Sequence, residues 1–324
     1  MKPKIYITRK LPSAIVDKLQ EFCQVSMWDS EEDPVPRHIL EKEIEYVDGL
    51  FCLLTEKIDQ ELLDKAPNLK IISNMAVGYN NIDVNAASAR GILVTNTPGV
   101  LTETTADLTF ALLMATSRRI VESSNYLDDG KWKTWSPMML TGQDIFGSTL
   151  GIIGMGRIGE AVARRAKGFS MKVLYHNRTR KEQVEKEFGV TYVDQEPLLR
   201  DSDFVCVLTP LTPETKYLID TEELSLMKKT AVLINTSRGG VVNEEALYQA
   251  LKNKDIWAAG LDVFEEEPVA LDHPLLSLPN VVALPHIGSA SYKTRMKMAE
   301  LAADHLIDGV LGKVPSCLVN DVKK

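Results

Sequence analysis

The chain has 324 residues, of which 44% are hydrophobic and 25% charged, with a formal net charge of -8. That length predicts about two domains with a sizeable core, and the acidic balance argues against a general nucleic-acid binder while leaving room for a local basic pocket. With no run of about 18 apolar residues, no apolar signal core after Met1-Lys2-Pro3-Lys4, and Cys23, Cys52, Cys206 and Cys317 scattered without metal-ligand spacing, the sequence predicts a cytoplasmic protein with reduced thiols, no membrane partner and no metal site.

The first hundred residues alternate strand and helix. Apolar runs at Lys4–Thr8, Gln24–Trp28, Gly49–Leu54, Leu69–Ser73 and Ile92–Asn96 read as strands, with helical spacing at Ala14–Phe22 and Asp59–Ala66. This alternation predicts a parallel sheet with helices on its faces. Thr97-Pro98-Gly99 breaks the pattern. A helix over Thr102–Arg119 follows, apolar around most of its circumference, which predicts burial between domains or subunits. The segment Trp132–Trp135, with Pro137, Met138 and Met139, reads either as a contact surface or as local packing. A second series runs from Thr149 to about Ile287, with strands at Leu150–Ile153, Lys172–Tyr175, Phe204–Leu208, Ala231–Asn235, Trp257–Leu261 and Val281–Leu284. It predicts a second doubly wound sheet, after which a helix over Tyr292–Leu311 leads into the tail ending at Lys324.

Gly154-Met155-Gly156-Arg157-Ile158-Gly159 lies between a strand-like run and a helix-like one, the context in which G-x-G-x-x-G marks a dinucleotide-binding turn. Gly154 allows the tight turn, Gly156 lets a pyrophosphate approach the backbone, and Gly159 lets helix and strand pack closely. An acidic residue about 20 residues further on would select NAD by bonding the ribose 2′-hydroxyl. Here the corresponding strand end is Asn177-Arg178-Thr179-Arg180, without an acid. A guanidinium there can bind a 2′-phosphate, which predicts NADPH over NADH, with Arg178 the main selector and Arg180 helping. Two further strand ends, at Thr209-Pro210 and at Thr236-Ser237, are placed to touch ribose or nicotinamide.

Three motifs follow in order: Asn235–Gly239, Gly260–Pro268 and Leu284–Ala290. Together with Val77–Asp83 and Thr102–Asp107 they closely resemble the D-isomer-specific 2-hydroxyacid dehydrogenases over nearly the whole chain. Thr134–Pro137 and His286–Ala290 resemble the glyoxylate/hydroxypyruvate reductase branch. The resemblance implies two α/β domains: a Rossmann nucleotide domain (99–288) inserted into a flavodoxin-like substrate domain (1–98 and 289–324). It also implies a homodimer joined through the long helix and the tryptophan segment. The family's catalytic arginine, glutamate and histidine fall on Arg238, Glu267 and His286. Charge alone does not say which of Glu265, Glu266 and Glu267 turns inward; Glu267 matches the family position before proline. Cofactor contacts implied on this chain extend to Thr105, Arg157, Ile158, Arg238, Asp262, His286 and Gly288. Substrate contacts fall on Val77, Gly78, Arg238, His286, Ser289 and Trp135.

The residue types suit the chemistry. Reducing a 2-keto acid needs hydride at C2 and a proton on the carbonyl oxygen, which a histidine supplies near neutral pH. A neighbouring carboxylate favours the imidazolium and orients the ring. A guanidinium binds the substrate carboxylate and polarises the carbonyl, and backbone N–H groups near Val77 and Gly78 hold the carboxylate's other side. The expectation is NADPH-dependent reduction of glyoxylate and hydroxypyruvate. The weighed alternatives are a 2-ketogluconate reductase, a D-3-phosphoglycerate dehydrogenase, a formate dehydrogenase and a dinucleotide-sensing interaction protein.

Overall fold

The computed structural model describes residues 1–320; the last four residues of the expected 289–324 segment lie outside them. Two compact units are present, a discontinuous one made of Met1–Leu101 and the segment from Ser291, and a continuous one, Thr102–Ala290.

The first unit holds strands β1 (Lys4–Ile7), β2 (Gln24–Met27), β3 (Gly49–Cys52), β4 (Ile71–Asn74) and β5 (Leu93–Thr95). They form one sheet in the order β2-β1-β3-β4-β5, with every pairing parallel. That is the flavodoxin-like order. β3 and β4 are buried along their whole length, as strands covered on both faces must be. Alternation sends Ile5, Ile7, Phe51 and Ile71 to one face, where they pack with Ile15 and Leu19 of α1 (Ser13–Phe22) and with Ala302 and Leu306 of a long C-terminal helix, Tyr292–Val310. Tyr6, Leu50, Cys52 and Ile72 go to the other face. There they meet Leu40 of α2 (Arg37–Glu43), Leu62 and Leu63 of α3 (Gln60–Asp64) and Ala87 of α4 (Val84–Ala89).

The second unit begins with α5 (Thr102–Ser117) and α6 (Ile120–Asp128). Its strands are β6 (Thr149–Ile153), β7 (Lys172–His176), β8 (Thr191–Tyr192), β9 (Phe204–Val207), β10 (Val232–Asn235), β11 (Ala258–Leu261) and β12 (Val281–Ala283). They are all parallel, in the order β12-β11-β10-β9-β6-β7-β8. Counted from β6, this is the Rossmann order extended by one strand, and the direction of winding reverses between β6 and β9. One face carries α5 and α7 (Arg157–Ala166) over Leu150, Ile152, Phe204 and Ile234. α8 (Glu182–Phe188) follows β7. The other face carries α9 (Gln195–Asp201), α10 (Thr221–Leu226) and α11 (Glu244–Asn253) over Ile153, Val205, Val207 and Leu233. The C-terminal helix of the first unit completes the set as α12.

The helix expected to run through Arg119 stops at Ser117, because Arg119 takes a left-handed conformation (φ 53°), its guanidinium held by Glu122 at 2.7 Å. α6 then starts in a new direction. Ala106, Phe110, Leu112 and Leu113 of α5 pack within their own unit, against α7 and the strands β10, β11 and β12, while Ala111 on the same helix is exposed. β8, only two residues long, gave no periodic signal. The segment Trp132–Met139 forms no helix or strand and leaves Trp132, Trp135 and Met138 exposed.

Candidate active site

The site residues of the second unit line the carboxyl ends of its strands, where parallel α/β sheets bind ligands. β6 ends in the glycine turn. Gly154 has φ 102°, and a Cβ on it would lie 2.7 Å from the Leu208 carbonyl carbon and 2.8 Å from Thr209 N, so conformation and space both demand glycine. A Cβ on Gly159 would lie 2.4 Å from the Gly154 oxygen, which brings the first turn of α7 directly onto the loop. Gly156 precedes Arg157 in extended conformation, and a Cβ there meets no atom within 4 Å. A side chain at Gly156 would fill the space beside the first turn of α7, whose N–H groups attract phosphate. Arg157 is exposed there and Ile158 half-buried.

The end of β7 is tied to this turn. Asn177 Oδ1 accepts from Met155 N at 3.3 Å, and its Nδ2 donates to Thr179 O at 2.8 Å. Arg178 and Thr179 are exposed. Arg180, expected to assist Arg178, instead forms a two-bond ion pair with Glu185, both at 2.8 Å. The bonds from Arg180 and then Tyr175 pull the Glu185 carboxyl down to about 2. At the end of β9, Pro210 O accepts from Thr215 Oγ1 at 2.6 Å, shaping the loop after Thr209.

At the end of β10, Asn235 organises the loop that carries Arg238. Its Oδ1 accepts from Ser237 N and Oγ at 3.1 and 2.8 Å, and its Nδ2 donates to Arg238 O at 2.9 Å. Arg238 Nη1 donates to Ser237 O at 2.7 Å. Burial lowers the guanidinium pKa and Glu267 opposes that shift; a guanidinium starts so high that it stays charged. Thr236 Oγ1 lies 2.7 Å from Thr109 Oγ1, which donates to Thr105 O at 2.8 Å, linking α5 to β10. A Cβ on Gly239 would lie 1.9 Å from the Phe264 carbonyl carbon, so the loop after β11 crosses directly over it.

That loop carries the three acids, and the fold separates them. Glu265 turns to Tyr217, whose hydroxyl donates at 2.9 Å, and to Glu244 N at 3.2 Å. Glu266 is exposed. Glu267 Oε1 accepts from Phe264 N at 3.0 Å, and its Oε2 lies 2.7 Å from His286 Nδ1. Burial works against ionisation of Glu267, but the His286 bond and charge, the Phe264 N–H and Arg238 together hold its carboxyl below the usual value. His286 sits in the left-handed region (φ 53°), and the backbone beyond it is anchored by Ile287 N donating to Asp262 Oδ1 at 2.7 Å. Asp262 is 1% exposed, and burial raises its carboxyl pKa. Its Oδ2 is buried without a hydrogen-bond partner among the described residues, and a Cβ placed on Gly288 falls 3.2 Å from it and 3.4 Å from Thr105.

The structure therefore brings Arg238, Glu267, His286, Asp262, Gly288, Thr105 and Thr236 into one neighbourhood. Trp135 is 74% exposed. Ser289 is half-buried. Val77 and Gly78 belong to the first unit, in the loop after β4. Asn74 and Asn96 donate to the Gly78 and Val77 oxygens at 2.9 and 2.8 Å, fixing the peptide planes of that loop. Asn74, Asn96 and Asn235 were not expected as positioning groups. Their common signal is an amide side chain at or just past the end of a strand.

The family described as D-isomer specific 2-hydroxyacid dehydrogenase, NAD binding domain, matches residues 110–288. The chain is 54% identical over 321 residues to a glyoxylate reductase of Korarchaeum cryptofilum, covering 99% of this chain and 96% of that one. Among solved structures, a protein of Thermus thermophilus aligns with a TM-score of 0.91 at 45% identity, covering 98% of this chain and all (100%) of the other. An NADPH-dependent glyoxylate/hydroxypyruvate reductase of Sinorhizobium meliloti, in complex with NADP and malonate, aligns with a TM-score of 0.85 at 35% identity, covering 98% and 97%. With this site on this fold, the chain belongs to the D-isomer-specific 2-hydroxyacid dehydrogenases, in the glyoxylate reductase branch, and is an oxidoreductase that uses a nicotinamide dinucleotide.

Proposed function

We propose that the protein reduces glyoxylate and hydroxypyruvate to the corresponding 2-hydroxy acids, with NADPH preferred over NADH. The observation that carries the reading is the 2.7 Å bond between Glu267 Oε2 and His286 Nδ1, in the field of the Arg238 guanidinium. The residues fit the cofactor: the backbone at Gly154, Gly156 and Gly159 suits a pyrophosphate, and the unpartnered Asp262 Oδ2 suits an amide N–H donor. The cofactor supplies hydride. His286, its Nδ1 held by Glu267, delivers the proton from Nε2 to the substrate carbonyl oxygen. Arg238 binds the substrate carboxylate with its planar fork and polarises the carbonyl. The N–H groups of Val77 and Gly78 supply further donors, Ser289 bounds the substrate, and the partner's Trp135 limits its size.

NADPH preference rests on Arg178, since Arg180 is engaged by Glu185. A charge-assisted bond is worth about 1.5–3 kcal/mol, or roughly 10- to 100-fold. Wild-type kcat/KM with glyoxylate should favour NADPH over NADH by about that factor, and Arg178→Ser should bring the ratio near one. Equal or better wild-type kcat/KM with NADH removes the assignment.

The working form in this reading is a homodimer. Ile120, Val121 and Leu127 of α6, together with Trp132, Trp135, Met138 and Phe146, are exposed large apolar side chains within one stretch of chain, the kind of surface that marks a protein contact. Sedimentation should give the mass of two chains, and Leu127→Glu with Trp135→Glu should give one; a wild-type monomer at assay concentration would end this part of the reading. The free cysteines, three of them buried, suit a reducing, cytoplasmic compartment. Among the described residues no helix is long and apolar enough to cross a membrane.

A further inference from the structure

The loop bearing Glu267 is braced on its far side by a second acid–histidine pair. Glu244, at the start of α11 just after its capping residue Asn243, is mostly buried, and its Oε2 lies 3.1 Å from His273 Nε2. Its Oε1 accepts from Glu265 N at 2.6 Å, while Glu244 N donates to Glu265 Oε1 at 3.2 Å. This reciprocal pair of bonds joins the first turn of α11 to the acid loop. Tyr217 adds a third bond, to Glu265 Oε2 at 2.9 Å. The His273 ring meets Phe264 edge-on, with centroids 6.1 Å apart, and Phe264 N donates to Glu267 Oε1. Beneath the loop, Gly239 lets the Phe264 and Glu265 backbone pass close over the end of β10, where a Cβ would lie 1.9 Å from the Phe264 carbonyl carbon and 2.2 Å from Glu265 N. From His273 through Glu244, Glu265 and Phe264 to Glu267, each link is a hydrogen bond, a ring contact or the peptide chain itself.

Burial raises the Glu244 carboxyl pKa, opposed first by the Glu265 N–H and then by the charge of His273. The partners of this carboxylate are those a mostly buried charge requires, and the reaction does not use it directly.

We propose that Glu244, clamped by His273, is a positioning residue that sets the placement of Glu267 against His286. The proposal rests on the reading of Glu267–His286 as the proton-delivering pair. Misplacement by about 1 Å from outside the reacting groups costs up to about 100-fold. Glu244→Ala should lower kcat per folded molecule by about ten- to a hundredfold, leave the NADPH dissociation constant within about twofold, and raise the primary isotope effect from deuterated NADPH as hydride transfer becomes slower. Glu244→Gln keeps an oxygen for the Glu265 N–H and should recover most of the loss. A merely structural role would lower the folded fraction without changing the isotope effect. The proposal is overturned if Glu244→Ala keeps wild-type kcat and isotope effect per folded molecule, or if Gln rescues nothing. His286→Ala, run in parallel, separates the failures: a nearly full rate there condemns the underlying reading, whereas an inactive His286→Ala beside an unaffected Glu244→Ala condemns this proposal alone.

Discussion

Replacing His286 with Ala is expected to cut kcat for glyoxylate reduction by about 10²- to 10⁴-fold, roughly 3–5 kcal/mol of barrier. The size follows from what is removed. The imidazole is held by one short bond to Glu267 on a backbone that Asp262 fixes through the Ile287 N–H. The acids of the β11 loop are not placed to take over: Glu265 is bound to Tyr217 and α11, and Glu267 carries a lowered pKa, so it is ionised and has no proton to give. Binding of NADPH, followed by its fluorescence, should change by less than about threefold, because the glycine turn and the β7 end do not involve the imidazole. The fold should hold as well. The left-handed backbone at His286 is strained for Ala much as for His, and Ile287 N still has its carboxylate. Turnover by His286→Ala within a few-fold of wild type would remove His286 as the proton donor.

Much of this arrangement was legible in the sequence because its causes are local. The glycine turn is set by steric demands that only one residue type meets, and the buried parallel strands are continuous apolar runs such as Leu50–Cys52 and Leu150–Ile153. The order of the two sheets is not local: nothing in the runs themselves says that β9, rather than β8, lies next to β6. The end of the long helix was placed within two residues, at Arg119 rather than Ser117, but the sequence reading did not include α6, the short helix that starts directly after Arg119. The roles of the acids were illegible as well. Glu265, Glu266 and Glu267 are identical as chemistry, and their separation comes from partners 21 residues away at Glu244, 48 away at Tyr217 and 19 away at His286. Arg180 shows the converse. A basic residue at the strand end looks available for a phosphate until Glu185, on the next helix, takes two of its guanidinium nitrogens.

The division of labour among the charged groups also follows from burial. Arg178 is exposed and can discriminate only by its interaction with a ligand's own charge, in competition with water. Arg238 is largely withdrawn from water, where its attraction for a carboxylate is stronger. The first should therefore tune selectivity and be sensitive to salt, while the second should govern the reaction itself.

Arg238→Lys is the sharper test of that second role, since it keeps the charge and removes the fork. The expected result is a fall in kcat/KM for glyoxylate of about 10²- to 10³-fold, shared between a higher KM and a lower kcat, with NADPH affinity nearly unchanged. Arg238 Nη1 spends one donor on Ser237 O, and Asn235 fixes the loop by binding Arg238 O. The guanidinium plane is therefore set before substrate arrives, and its planar fork has the shape to address carboxylate and carbonyl together. A lysine ammonium is a point charge on a flexible stem and cannot make both contacts in a fixed plane. Burial that only lowers the pKa of a guanidinium can strip the proton from an amine, so the Arg238→Lys variant should lose further activity as pH rises, in a range where wild type is steady. Arg238→Ala should be lower still and recover part of its rate when guanidinium ion is added at millimolar concentration, because the binding surface formed by Asn235 and Ser237 remains. If Arg238→Lys instead keeps the wild-type KM and kcat, substrate binding does not depend on a planar fork, and the carboxylate must be held by another part of the protein.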